Sequence, residues 1–107
     1  MNNINTLILS AGRRVELVQL FQKTLVDLSL SGKVIAADCS NLAPALYFAD
    51  KYAIIPRIDD SNYIETIIQV CNENSIDLVI PTIDTELLKL SQNKANVESK
   101  TKAKVMI

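Results

Sequence analysis

Short apolar runs alternate along this chain with longer stretches of helical periodicity. Leu7-Ile8-Leu9 is a run of the kind found in a strand buried on both faces, and it stops at Ser10-Ala11-Gly12. Leu17, Val18, Phe21, Leu25 and Leu28 then recur at helical spacing. They predict a helix from about Arg14 to Ser29, closed near Gly32 as a left-handed cap. Val34-Ile35-Ala36-Ala37 predicts a second strand, ended by Asp38-Cys39-Ser40. Leu42 to Ala49, containing Pro44, predicts a short helix, and Tyr52 to Pro56 a third strand stopped by its proline.

Asp59-Asp60-Ser61 offers helix N-caps, and Tyr63, Ile64, Ile67, Ile68 and Cys71 form the buried stripe that follows. Asp77 to Ile80 predicts a fourth strand, followed by the turn Pro81-Thr82-Ile83-Asp84, where Asp84 can cap a helix carrying Leu87, Leu88 and Leu90. From Ser91 to Lys102 the composition is polar and lysine-rich and predicts a fraying helix end and loop, with Val97 as the anchor. Ala103 to Ile107 predicts a fifth strand, and a chain that stops on a strand leads us to expect more protein after it. The alternation with right-handed crossovers gives an α/β, Rossmann-like three-layer sandwich. Its five-stranded parallel sheet is expected in the order 3-2-1-4-5. The switch point then lies between strands one and four. Ser10 to Arg14 and Pro81 to Glu86 face one another across a crevice there, with Asp38 at the rim.

Composition narrows the function. At 107 residues the chain is one domain with a real core. A net charge of −1 argues against a general attraction to nucleic acid or to an anionic membrane. No apolar run approaches the roughly 18–20 residues that span a bilayer. The first five residues lack the parts of a secretory signal, so the cytoplasm is the expected location. The absence of histidine removes Ser-His-Asp and Cys-His catalysis and the usual zinc sites. Cys39 and Cys71 read as two thiols in a reducing compartment.

The positive signal is Gly12-Arg13-Arg14 at a helix start. Exposed N–H groups and the helix dipole favour an anion there, and an arginine adds a fork that holds a carboxylate or phosphate by two bonds. The plainer reading is that an arginine pairs with Asp38 or Asp84, or lies in solvent. Asp38 stands where a Rossmann domain holds a ribose hydroxyl, or else it caps its own turn. Thr82, Asp84 and Glu86 could accept hydrogen bonds from an amine or hydroxyl, and Asp84 could equally be an N-cap. The small positions of a dinucleotide fingerprint fall on Ser10, Gly12 and Val15, and a valine at the third argues against NAD. There is no GxxxxGK[ST] motif, which excludes a P-loop, and no acidic cluster of a phospho-receiver after strand one.

Three segments together carry a family resemblance: Ser10 to Val15; Ala36 to Ser40 with Ala43-Pro44-Ala45-Leu46; and Ile80 to Leu87. They resemble the amino-terminal domain of ATP-grasp proteins, in particular those described as carbamoyl-phosphate synthase large-chain-like. Pro56 to Asp60, followed by Tyr63-Ile64, fits the same group. The resemblance covers essentially the whole chain and implies a pre-ATP-grasp domain over residues 1–107. In that family such a lobe helps hold the substrate, while ATP and Mg²⁺ are clamped by a following ATP-grasp domain. That domain would lie in the same chain or in a partner subunit. The reaction it implies activates a carboxylate as an acyl phosphate, which an amine then displaces.

By the same resemblance the turns at Gly12–Arg14 and Thr82–Glu86 face a small carboxylate- or phosphate-bearing substrate. Arg13 or Arg14 would hold its anionic group and Gly12 would permit close backbone approach. Asp38, Thr82 and Asp84 would shape the pocket, with Ser10 and Glu86 beside them. No cofactor is expected in this chain itself, and it is not expected to be catalytic alone. The alternatives are a self-contained module binding a small anion or nucleotide, and the cofactor domain of an oxidoreductase. An exposed edge at strand five leaves a homodimer open.

Overall fold

The computed structural model describes residues 3–12, 14–40 and 43–106. The elements are β1 (Thr6–Ile8), α1 (Val15–Asp27), β2 (Val34–Asp38), a 3-10 turn of helix (Pro44–Tyr47), β3 (Lys51–Ile54), α2 (Tyr63–Glu73), β4 (Leu78–Ile80), α3 (Asp84–Lys100) and β5 (Lys104–Val105). All strand pairs are parallel and the order is β3-β2-β1-β4-β5, as the alternation of patterns predicts. Thr6 lies opposite Val34 on one side and Leu78 on the other, so β1 is the central strand, and it is wholly buried.

Side chains that alternate along the strands feed two separate cores. Leu7, Leu9, Ile35 and Ala37 pack against Ile67 of α2 and Leu90 and Val97 of α3. Ile8, Val34 and Ala36 face the other way, onto Val18 of α1 and Leu46 of the 3-10 helix. The result is a Rossmann-like sandwich of three layers. Among the described residues, no helix is long and apolar enough to cross a membrane.

Three expectations are corrected. The first helix ends at Asp27, and its left-handed cap is Ser29 (φ +56°), not Gly32. Ser29 N–H bonds to the Val26 carbonyl and Leu30 N–H to that of Leu25, which together form a Schellman motif. Gly32 serves close approach instead: a Cβ there would lie 1.8 Å from the Ile4 carbonyl oxygen, where the chain entering β1 runs beside the chain entering β2.

α3 does not fray at Ser91; it continues to Lys100. A narrow stripe, Leu90 and Val97, is fully buried, while Lys89 and Lys94 are half-buried and Lys100 is exposed. Its last turn is tied down as well, because Asn72 donates to the Lys100 carbonyl and Glu98 accepts the Val105 N–H. Finally, Asn62 rather than an Asp59–Ser61 residue precedes α2. Asp60 contributes one step earlier, accepting the Asn62 N–H at 2.8 Å. Leu42 of the predicted short helix and Ile107 of the predicted fifth strand lie outside the described residues.

The two glycines therefore differ in kind. Gly32→Ala is expected to cost more than about 3 kcal/mol, because backbone must move. Gly12→Ala should cost only about 1–2 kcal/mol, the penalty of a left-handed alanine, since its nearest neighbour would be a carboxylate oxygen at 3.4 Å. Urea unfolding of both variants measures this. Equal, small losses would mean that the Ile4–Gly32 approach relaxes freely.

Candidate functional site

The turn that follows β1 is built from left-handed residues: Ser10 at φ +48° and Gly12 at φ +46°. It is pinned to both neighbouring strands. Leu9 N–H bonds to the Ile80 carbonyl and Ala11 N–H to that of Ala37. Gly12 N–H donates to Asp38 Oδ2 at 2.8 Å, while Asp38 Oδ1 accepts the Cys39 N–H at 2.7 Å. Asp38 thus holds the Gly12 turn as well as the start of its own. The Gly12 carbonyl in turn accepts the Ala45 N–H, which docks the 3-10 helix.

On the other side of β1, the two turns expected to face one another do meet, and they are stitched together. Thr82 Oγ1 donates to the carbonyls of Leu9 and Ser10 at 2.9 and 3.2 Å. Arg14 reaches across to the Thr82 carbonyl at 3.3 Å. Among the described residues no carboxylate pairs with Arg14. Arg13 lies outside the described residues.

Glu86 is the centre of this contact. It is fully buried, yet both oxygens are engaged. Oε2 accepts the Ser10 hydroxyl at 2.5 Å and the Tyr63 hydroxyl at 2.8 Å, and Oε1 accepts the Thr82 N–H at 3.0 Å. Glu86 sits in the first turn of α3 and reaches back past the helix start, as the acidic member of a capping box does. Asp84 is not the cap. Ile83 occupies that position with no side-chain bond, and Asp84, exposed, is the first helical residue.

Beside the stitched turns a cleft of about 230 Å³ opens over the ends of β2 and β3. Ser10, Asp38 and Cys39 line it from the strand tips, while Ile55, Ile58 and Ile83 supply apolar walls. Tyr63 and Arg57 also border it, and the Arg57 guanidinium stands 3.9 Å from Asp59 with both side chains about four-fifths exposed. Lys89 lies close by, donating to the Ile58 carbonyl at 2.6 Å with its ammonium 5.6 Å from the Tyr63 ring centre. Thus the structure brings Ser10, Gly12, Asp38, Thr82 and Glu86 into one connected network, adds Arg14 at its edge, and leaves Asp84 outside.

Reasoning from the sequence missed Tyr63, placing it on a core stripe. The available clue was a single phenol among aliphatics, since a buried tyrosine hydroxyl needs a partner. Burial, and then the Glu86 charge and hydrogen bond, push the Tyr63 hydroxyl well above its usual range. Burial alone pushes the Cys71 thiol up to about 12. Cys39 and Cys71 are both free, and only Cys71 is in the core.

A doubly wound parallel sheet whose first turn meets the turn after the fourth strand at the switch point is a Rossmann-like architecture. The chain belongs to the PylC-like, N-terminal domain family, whose model matches residues 6–105. Comparison with curated proteins finds no match.

Two outcomes follow from the buried groups. Glu86→Ala would leave three donors without their acceptor and should cost about 3–5 kcal/mol in urea unfolding. Tyr63 and Cys71 both have raised values in the folded state. Their contribution is therefore complete below their unfolded values, near 10 and 9, and is lost as pH rises beyond those values. Stability should fall from pH 9 upward by at most about 1.4 kcal/mol per pH unit for each group. Cys71→Ala should make the decline shallower between pH 9 and 12. Stability that stays flat to pH 11 would contradict this.

Proposed function

We propose that this chain is the N-terminal, substrate-holding lobe of an ATP-dependent carboxylate–amine ligase of the ATP-grasp group, related to the carbamoyl-phosphate synthase large chain and working in the cytoplasm. The observation that carries the reading is the meeting of the Gly12–Arg14 turn with the Thr82–Glu86 turn at the sheet's switch point, in a chain of this family. The N-cap residue of α1, Arg14, makes no side-chain capping bond, so the positive end of the helix dipole and this exposed arginine lie together. They border a concavity of about 490 Å³ lined by Arg14, Val15, Glu16 and Leu17. A carboxylate or phosphate group placed there receives two N–H bonds and a favourable field. Arg13, the neighbouring arginine, is assigned the same task. The cleft at Ser10 and Asp38, on the other side of the Gly12 turn, holds the remainder of the substrate.

Binding and orientation are what these residues supply. The described residues contain no group of three His, Cys, Asp or Glu that could hold a metal ion. In this reading magnesium and ATP, which supply the phosphoryl group that activates the carboxylate, are held by the ATP-grasp part of the ligase, in the same chain or a partner subunit.

In the ligase carrying this lobe, Arg14→Ala should raise KM for the carboxylate- or phosphate-bearing substrate by about tenfold to a hundredfold, with kcat changed less than about threefold. Arg14→Lys should fall between, since it keeps the charge and loses the fork. Steady-state kinetics checks both. Wild-type KM and kcat in Arg13→Ala and Arg14→Ala alike would remove the assigned role.

A further inference from the structure

The hydrogen bonds beneath the cleft have a fixed direction. Ser10 and Tyr63 both donate their hydroxyl protons to Glu86 Oε2. Ser10 Oγ then turns only lone pairs toward the cleft. Asp38 accepts one backbone N–H on each oxygen, and each oxygen keeps a further lone pair. Among the described residues nearby, Lys89 donates to the Ile58 carbonyl, and Arg57 stands at the cleft's rim, its side chain four-fifths exposed near Asp59. Among the described residues neither Glu86 nor Asp38 touches a cation. The floor of the cleft therefore offers acceptors and negative charge, with isoleucine walls above.

We propose that Tyr63 and Glu86 are positioning residues that hold Ser10 as an acceptor, so that the cleft selects a hydrogen-bond donor, a protonated primary amine being the group that fits. The inference rests on the reading of the cleft as a substrate-holding part of this lobe. It assigns a polarity to that cleft, separate from the anion assigned to Arg14. The left-handed backbone of Ser10 fits the same account, because it places the hydroxyl between Glu86 and the cleft.

The test uses two probes of matched size and opposite polarity, n-butylammonium and butyrate, titrated into the ¹⁵N-labelled chain. Butylammonium is expected to shift the amides of Ser10, Asp38 and Cys39 saturably, and to bind about tenfold or more tightly than butyrate, the worth of one charge-assisted bond. In Glu86→Gln the side-chain amide donates to the Ser10 and Tyr63 oxygens and turns their protons outward. The preference for butylammonium should then fall by about tenfold or reverse. A purely structural Glu86 would lower the melting temperature and leave the ratio of the two affinities unchanged, which overturns the proposal. Should Glu86→Gln fail to fold, Ser10→Gly, which suits the backbone and removes the acceptor, must lower the ratio, and an unchanged ratio overturns the proposal too. Equal saturation by both probes in the wild type would sink the assigned polarity and leave the cleft as a ligand site. Saturation by neither would remove the cleft reading itself.

Discussion

A carboxylate with no access to water must find its solvation inside the protein, and the C-terminal edge of this sheet is arranged around that requirement. Glu86 has no cationic partner among the described residues, so its burial is offset by three neutral donors and by the start of α3, where negative charge is favoured. Those donors come from the end of β1, the start of α2 and the end of β4. One side chain thereby couples three segments distant in sequence, and none can move without leaving a buried charge unsatisfied.

Asp38 performs the matching task on the opposite flank. It ties the Gly12 turn to the tip of β2, while Glu86 ties Ser10 to the β4 side. The first turn is thus held from both directions by carboxylates that are themselves fixed. A binding platform needs this second layer of support, because a site on an unsupported loop is too loose to orient a ligand. The closure of the switch point also displaces the open space. What remains lies to one side, over β2 and β3, and between the two carboxylates.

Much of this was legible in the chain. The apolar runs marked the strands, crossover handedness made them parallel, and the doubly wound order brought Ser10 and Thr82 together. Other features were not legible, for physical reasons. Glu86 lies in a polar helix start, and nothing in local periodicity distinguishes a buried carboxylate from a solvated one; only the tertiary position of Tyr63 and Ser10 does so. Asp84 is the better N-cap by residue type, but the helix starts one residue earlier, with Ile83 at that position. The length of α3 was hidden because two buried residues, Leu90 and Val97, suffice to hold seventeen against the sheet. Gly32 resembles a helix cap in sequence, whereas its use is the close approach of Ile4, whose carbonyl oxygen would lie 1.8 Å from any Cβ there.

Three serines, Ser10, Ser29 and Ser75, adopt the left-handed conformation that glycine enters freely. At about 1 kcal/mol each, they withhold about 3 kcal/mol from a domain whose whole margin is about 5–15 kcal/mol. Ser29 and Ser75 close helices at the edge remote from the cleft, and glycine could replace them with little lost beyond chain entropy. Ser10 differs, because the same substitution discards the hydroxyl that Glu86 holds. Evolution toward a tighter fold therefore has two free moves and one forbidden one, and the forbidden one lies where the ligand is expected. Stability at that position is limited by what the side chain must present.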